Sequence, residues 1–141
     1  MAGCYQTTGE TAKRGTGVAP DTGGGWVNGR GDDTMIMLKG YADIVHFFCG
    51  FEWWKAEAHD ELVNNDAFCL AETGQVYVVY LPRGGHVSVK VVSGRYEAKW
   101  FNPRTGEYST APTAEDATWT SPAVSDNEDW VLLLTRIQPD R

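Results

Sequence analysis

Apolar residues in the second half of the chain recur at every second position, which is the repeat of a β-strand. GGHVSVKVV (84–92) and GRYEAKWF (94–101) alternate in this way, whereas QVYVVYLP (75–82) and DWVLLLTRI (129–137) are continuous apolar runs. Continuous runs of this length are typical of strands buried on both faces. Weaker strands are predicted at 67–72, 107–110 and 117–120.

Glycine-rich segments separate the predicted strands. Arg83-Gly84-Gly85 predicts a hairpin turn between the strands at 75–82 and 84–92, and Ser93-Gly94 predicts the turn that follows. Several short strands with turns at intervals of roughly eight to twelve residues are typical of all-β sandwiches and barrels. The sequence therefore predicts a mainly β fold, an antiparallel β-sandwich of seven or eight strands.

The segment WFNPRTGEY (100–108) joins two of the predicted strands. Pro103 fixes φ for a turn, the Asn102 side chain can bond the backbone two residues on, and Gly106 tolerates a positive φ. A hairpin loop is therefore the predicted structure. Trp100 and Arg104 are also candidate ligand contacts, one as an aromatic surface and the other as a hydrogen-bond donor.

Residues 33–50 change to helical spacing, with apolar residues three or four positions apart. Asp32 or Asp33 is placed to cap the start of this helix, and Gly50 is placed to end it. Further apolar residues widen the stripe beyond one face: Met35, Ile36 and Phe47. Because so apolar a helix requires cover, we expect the N-terminal arm or a second copy to cover it, and the chain to self-associate through 33–50.

The first part of the chain, residues 1–32, is polar and rich in glycine, which predicts a long arm without regular structure. The chain is thus predicted to consist of this arm, a helix and linker at 33–65, and the sandwich at 66–141. The linker holds two adjacent tryptophans, Trp53 and Trp54. We expect both to wedge between helix and sandwich, with exposure to a ligand as the alternative.

Charge and hydropathy exclude several classes of partner. The formal charge is −7, whereas nucleic acids and anionic membranes attract clustered Lys and Arg, so neither partner is expected. No apolar run approaches the roughly 18 residues of a membrane span. The chain as given has no signal peptide and is expected to be soluble.

Motifs for common catalytic and metal sites are missing from the sequence. It contains no HExxH, GxSxG or phosphate-loop motif, and Cys4, Cys49 and Cys69 are too far apart for a CxxC zinc pair. Cys49 and Cys69 are expected to be buried free thiols. The acidic and histidine residues of AEAHDEL (56–62) predict a charged, solvated linker rather than a metal site. Neither a metal nor a cofactor is expected.

Three segments, FCLAETGQVYVVYLPRGG, YEAKWFNPRTGEY and DWVLLL, together resemble the C-terminal β-sandwich of apiosidase-like glycoside hydrolases, a module named as a collagen-binding domain. The upstream segment TGVAPDTGGGWVNGRGDDTMIMLKGYADIVHFF resembles the last loop and helix of the catalytic barrel in these enzymes. The resemblance covers roughly residues 9–136. It implies a truncated barrel, because a whole one needs about 250 residues. The paired catalytic carboxylates of such enzymes would lie upstream of Met1.

The resemblance implies a non-catalytic accessory module of a carbohydrate-active hydrolase, which stabilises or orients the barrel and binds polysaccharide weakly. Candidate sugar contacts on the module are Trp53, Trp54, Trp100 and Arg104. Trp26, Asn28 and Arg30 fall in the segment that resembles the final barrel loop, where such residues stack on a sugar and bond its hydroxyls. In a chain with only part of a barrel, we expect these three to serve an interface instead.

Two other roles stay open from the sequence. In one, the chain completes a glycosidase site in trans, with Trp26 and Arg30 reaching a separately encoded barrel. In the other, it is a collagen- or matrix-binding adhesion module, as the tripeptide Arg30-Gly31-Asp32 suggests. A tripeptide is common by chance, and helix capping is a simpler role for Asp32.

Overall fold

The computed structural model describes residues 36–138. Helix α1 spans Ile36–Phe48, and Gly50 forms a turn directly after it, with its N–H donating to the oxygen of Phe47. The helix and its stop at Gly50 are therefore confirmed, while the predicted caps, Asp32 and Asp33, lie outside the described residues. No helix in the described part of the chain is long and apolar enough to cross a membrane.

The chain divides into two compact units, of which the second begins at His46 and contains all the strands described. Strands β1–β8 are Glu57–Ala58, Phe68–Glu72, Val76–Leu81, Ser88–Lys90, Tyr96–Asn102, Glu107–Ala114, Thr118–Thr120 and Trp130–Arg136. Short 3-10 turns at Trp53–Lys55 and Asp60–Leu62 flank β1. Alternating and continuous apolar runs in the sequence predict seven of these strands and miss β1, which is too short to show a period.

Six strands form one antiparallel sheet in the order β1-β2-β3-β8-β5-β6, and β4 pairs with β7 in a second sheet. The predicted mainly β, antiparallel fold is confirmed. The predicted hairpin at Arg83-Gly84-Gly85 is wrong, because β2 and β8 occupy both edges of β3. Gly84 and Gly85, with φ of +60° and +80°, instead turn the chain from the first sheet towards the second.

The main core lies on the face of the six-stranded sheet that carries alternate residues of β3, β5 and β8. The predicted inward residues are buried there: Val87, Val89, Val91, Tyr96, Ala98 and Trp100. Strand β3 is buried along both faces except at Tyr80, as its continuous apolar run predicts. Alternation along each strand therefore places the polar residues at the surface.

The opposite, outer face of the six-stranded sheet has an apolar cluster of its own. Phe47, at the end of α1, is only 3% exposed and packs with Phe101 and Tyr108 of the sheet. Phe51 joins the same cluster. The sheet therefore covers Phe47, where the N-terminal arm or a second copy was the expected cover. Self-association through the helix stays a prediction, and Met35 lies outside the described residues.

Candidate functional site

The structure separates the tryptophans that the sequence singles out. Trp53 and Trp54 lie in a 3-10 turn and are 50% and 63% exposed, with their rings edge-on and 6.2 Å apart. The predicted wedge between helix and sandwich is wrong, because this turn leaves both rings at the surface. Trp26, Asn28 and Arg30 lie outside the described residues.

Trp100 is placed in the main core and is 5% exposed. Its ring meets the ring of Trp130 edge-on, with 6.2 Å between the ring centroids. Trp130 is less buried and lies one residue beyond the last β5–β8 pair, which joins Phe101 to Val131. Trp100 thus supports a second tryptophan that is nearer to the surface, Trp130, which no pattern in the sequence distinguishes.

The β5–β6 connection has the predicted hairpin geometry. The Asn102 side-chain oxygen accepts hydrogen bonds from the backbone N–H of Arg104 at 3.0 Å and from its Nε at 3.2 Å. Gly106 has a φ of +77° and donates its N–H to the oxygen of Asn102 at 2.8 Å. The local turn chemistry is therefore confirmed, and it also holds the Arg104 side chain in place.

The guanidinium group of Arg104 lies 5.5 Å above the ring of Trp130, a cation–π arrangement. Three carboxylates of the β7–β8 loop surround this guanidinium, with nitrogen–oxygen distances of 3.3 Å to Asp126, 3.7 Å to Glu128 and 3.6 Å to Asp129. Trp130 Nε1 donates to Asp126 Oδ1 at 2.7 Å. We call these five residues the Arg104 clamp. Each partly exposed ion pair contributes little stability alone, but together the contacts fix the indole ring.

The electrostatics of the clamp centre on Asp126. The hydrogen bond from Trp130 Nε1, the backbone N–H of Glu128 and the charge of Arg104 lower the pKa of the Asp126 carboxyl below its ordinary value of 3.8, although partial desolvation opposes them. The carboxylate is therefore ionised over the physiological pH range, and it accepts the indole N–H as a charge-assisted hydrogen bond.

An open groove of about 320 Å³ lies beside the clamp, lined by Asn102, Glu107, Tyr108, Ser109 and Trp130. In the β5–β6 register, Glu107 is opposite Asn102 and Ser109 is opposite Trp100. Because residues two apart share a face, these polar side chains continue the core-facing surface beyond the point where the core ends. The groove thus combines an aromatic ring with an amide, a carboxylate and a hydroxyl.

A second surface, the aromatic row, crosses the outer face of the sheet at one register position. Its members, each paired with the next across neighbouring strands, are Phe68, Tyr80, Val131, Phe101 and Tyr108. The rings of Phe68 and Tyr80 stack at 6.5 Å and are 55% and 39% exposed. Apolar residues at outward positions of β2 and β3 are the only sequence signal of this row, since its alignment depends on register.

The linker cluster of acidic residues and histidine makes local contacts. His59 Nδ1 lies 2.7 Å from Glu61 Oε1, and Asp60 Oδ1 accepts the N–H of Cys69 at 2.8 Å. Within residues 36–138, no group of three His, Cys, Asp or Glu side chains is placed to hold a metal ion. Cys69 is a buried free thiol as predicted, but the predicted burial of Cys49 is wrong, because the turn after α1 leaves this residue at the surface.

These features define the chain as a β-sandwich module with two candidate surfaces, the groove and the aromatic row, which meet at Tyr108. A family model described as "Putative collagen-binding domain of a collagenase" matches residues 58–135. The match covers more than half of the chain, which therefore belongs to this family. No curated protein sequence matches the chain.

Solved structures with the same fold include glycoside hydrolases. One glycoside hydrolase aligns with a TM-score of 0.67 and 14% identity, over 88% of this chain and 30% of the enzyme. A family 5 glycoside hydrolase from Bacteroides vulgatus aligns with a TM-score of 0.67 and 12% identity, over 89% of this chain and 31% of that chain. This chain thus spans about a third of either enzyme's length. The predicted resemblance to the sandwich of glycoside hydrolases is confirmed.

Proposed function

We propose that this chain is a non-catalytic accessory module of a carbohydrate-active hydrolase, which stabilises or orients a catalytic barrel and binds polysaccharide weakly. The observation that carries the proposal is the superposition of 88% of this chain on 30% of a glycoside hydrolase. The rest of that enzyme is more than twice as long as the matched part. This is the proportion expected when a sandwich of this size accompanies a barrel of about 250 residues.

The aromatic row supports a role in docking to another domain. Phe68 and Tyr80 form a stacked pair on the outer face, and more than a third of each side chain is exposed. Further along the row, Phe101 is buried against Phe47 at the end of α1, the segment that resembles the last barrel helix. A domain that covered the exposed pair as well would remove its apolar surface from water, which would stabilise the complex by about 25 cal/mol for each Å² buried.

The proposal is tested by co-expressing the chain with glycoside hydrolase barrels encoded beside it in its genome. We expect the two proteins to co-elute in size-exclusion chromatography, and the Tm of the barrel to rise by several degrees. Phe68→Ser should weaken the complex. Val92→Ser is the matched control, because Val92 is 51% exposed but lies in the β4–β5 connection, away from the aromatic row.

Hydrolysis assays of the chain alone, on xylan and pectic oligosaccharides, complete the test. No activity is expected. Turnover by the isolated chain would overturn the non-catalytic proposal, and failure of every barrel to bind would overturn the docking role. Activity that arises only in the mixture, and is lost on Trp26→Ala or Arg30→Ala, would instead favour completion of a glycosidase site in trans.

Collagen binding is a second candidate function, favoured by the description of the matching family. Its test is sedimentation of the chain with fibrillar collagen at several protein concentrations. Binding that saturates, and is lost on Asp32→Ala, would support the adhesion role suggested by Arg30-Gly31-Asp32. Binding that saturates but survives this substitution would place the collagen contact elsewhere on the chain.

A further inference from the structure

The groove beside the Arg104 clamp presents polar groups that the protein leaves unused. Within residues 36–138, the Nδ2 of Asn102, the carboxylate of Glu107 and the hydroxyl of Ser109 have no protein hydrogen-bond partner. They include a donor, an acceptor, and a hydroxyl that serves as either. A ligand with many hydroxyl groups can bond all three kinds of group.

Trp130 provides the apolar side of the same groove in a fixed orientation. Its Nε1 is bonded to Asp126 at 2.7 Å, Arg104 lies over its ring, and the core residue Trp100 meets it edge-on. An aromatic ring held by its surroundings loses little side-chain entropy when a flat apolar surface packs against it. The C–H face of a pyranose ring is such a surface.

The charge around the groove selects among hydroxyl-rich ligands. Glu107 lines the groove, and the carboxylates of Asp126, Glu128 and Asp129 surround Arg104, so the groove and the adjoining clamp together hold four negative charges and one positive charge. Lys99 does not offset this negative charge, because it lies on the outer face of the sheet, where it pairs with Leu133 of the outer cluster. An anionic ligand is therefore repelled at this end of the sandwich.

We propose that this groove binds a short stretch of a neutral glycan, with one sugar ring against Trp130 and its hydroxyls on Asn102, Glu107 and Ser109, and that it rejects polyuronates. This rests on the proposed function and names the ligand class of that module. The volume of about 320 Å³ is near the lower end of small-ligand sites, roughly 300–1,000 Å³, which fits one or two sugar rings.

The test is an NMR titration of the full chain with xylohexaose, which is neutral, and with hexagalacturonate, which is acidic and has the same number of rings. We expect xylohexaose to shift the Trp130 indole and Ser109 amide signals, and to bind at least about tenfold more tightly than hexagalacturonate. Added salt should narrow this difference, because it screens the repulsion.

Glu107→Gln keeps the shape of the groove and removes its charge. It should weaken xylohexaose binding about threefold or more, since a charge-assisted bond is lost, and should reduce the preference over hexagalacturonate. Glu97→Gln is the matched control, because Glu97 is on the outer face of β5, paired with Lys99, and its loss should change neither affinity.

Three results would overturn the proposal: stronger binding of hexagalacturonate, shifts confined to Trp53 and Trp54, or a groove that responds only to a triple-helical collagen peptide. If neither oligosaccharide binds while the chain still co-elutes with a barrel, the groove proposal fails and the docking role stands. Co-elution and titration are scored independently, so failure of one does not conceal the outcome of the other.

Discussion

The ring of Phe47, at the end of helix α1, lies 4.8 Å from the ring of Phe101 in strand β5. Phe101 is 4% exposed, so this contact is part of a dry cluster on the outer face of the sheet. The helix end is thereby attached to the sandwich by the same kind of aromatic packing that occurs inside a core. The contact makes the end of α1, from His46 onwards, a structural element of the module.

Phe47→Ala should lower the free energy of unfolding by about 3 kcal/mol, because it removes a buried ring and leaves a cavity against Phe101. Urea unfolding followed by circular dichroism measures the change. His46→Ala is the control, since His46 is an exposed neighbour on the same helix and its loss should change stability by less than about 0.5 kcal/mol. Equal effects of the two substitutions would show that the Phe47 contact does not stabilise the sandwich.

Tyr77→Phe should destabilise the sandwich through its hydroxyl alone. The Tyr77 oxygen accepts hydrogen bonds from the N–H groups of Gly74 at 2.9 Å and Val92 at 3.0 Å, and the side chain is fully buried. Removal of this acceptor should cost about 1–3 kcal/mol of unfolding free energy. Tyr80→Phe, which removes an exposed hydroxyl 3.5 Å from Asp129, should cost much less.

Substitutions at two neighbouring glycines distinguish the energetic cost of backbone strain from that of steric overlap. Gly84 and Gly85 both have a positive φ, but a methyl group on Gly84 would overlap the backbone oxygen of Asp126, whereas nothing lies within 4 Å of one on Gly85. Gly85→Ala should cost about 1 kcal/mol from strain, and Gly84→Ala more than about 2 kcal/mol. Thermal unfolding checks this order. Gly84→Ala should also shift the Trp130 indole signal, because Asp126 has to move.

Cys69 should resist alkylation in the folded chain. Burial, helped by the charges of Asp60 and Glu61, raises the pKa of its thiol from 9.0 to about 12, so little thiolate forms at pH 8. Reaction with iodoacetamide, mapped by mass spectrometry, should be about a hundredfold slower at Cys69 than at the exposed Cys49, and similar for both in denaturant. Comparable rates in the native chain would contradict the burial.

The same pKa shift makes stability depend on pH at the alkaline end. Burial favours the neutral form of the Cys69 thiol in the folded state. The contribution of this neutral thiol to the free energy of unfolding is therefore fully present below the ordinary pKa of 9.0. The contribution declines as pH rises from there towards about 12, because the unfolded chain then ionises first. In unfolding measurements across this pH range, Cys69→Ala should remove this part of the decline in stability.

At acid pH, the Arg104 clamp should open through Asp126. The pKa of this carboxyl is lower in the folded chain than its ordinary value of 3.8. Its contribution to stability is therefore present above pH 3.8 and is lost as the pH falls through the lowered pKa of the folded state. The Trp130 indole N–H signal should therefore titrate with a midpoint below 3.8. Asp126→Asn should abolish this step. A midpoint at or above 3.8 would disprove the charge-assisted bond.

Sequence reasoning succeeds here where the cause is local. The alternation at Val87, Val89 and Val91 predicts their burial, because the pleat of any strand separates even from odd positions. The Asn102–Arg104 bond is predicted because its partners are two residues apart. Gly84-Gly85 predicts a turn, but turn residues do not specify which strands pair, and so the hairpin prediction fails.

The missed features depend on partners that are distant in sequence. Trp130 joins the Arg104 clamp only because β8 lies beside β5, which brings the two strands to one corner. The Phe68–Tyr80 pair continues into a row only after the order of five strands is known. The pattern of a single sequence indicates which face of each strand is buried, but it does not indicate the order of the strands in the sheet, since several orders bury the same faces equally well.

Strand β8 lies between β3 and β5, and its pairing joins Val76 to Thr135. On a ribosome, β3 and β5 would both have left the exit tunnel with one edge still unsatisfied, and neither could close the sheet until synthesis had reached residue 136. During that interval the valines of β3 would offer a ready partner to other nascent chains. Exposure of these two strand edges during translation is therefore the consequence of placing the last described strand in the middle of the sheet.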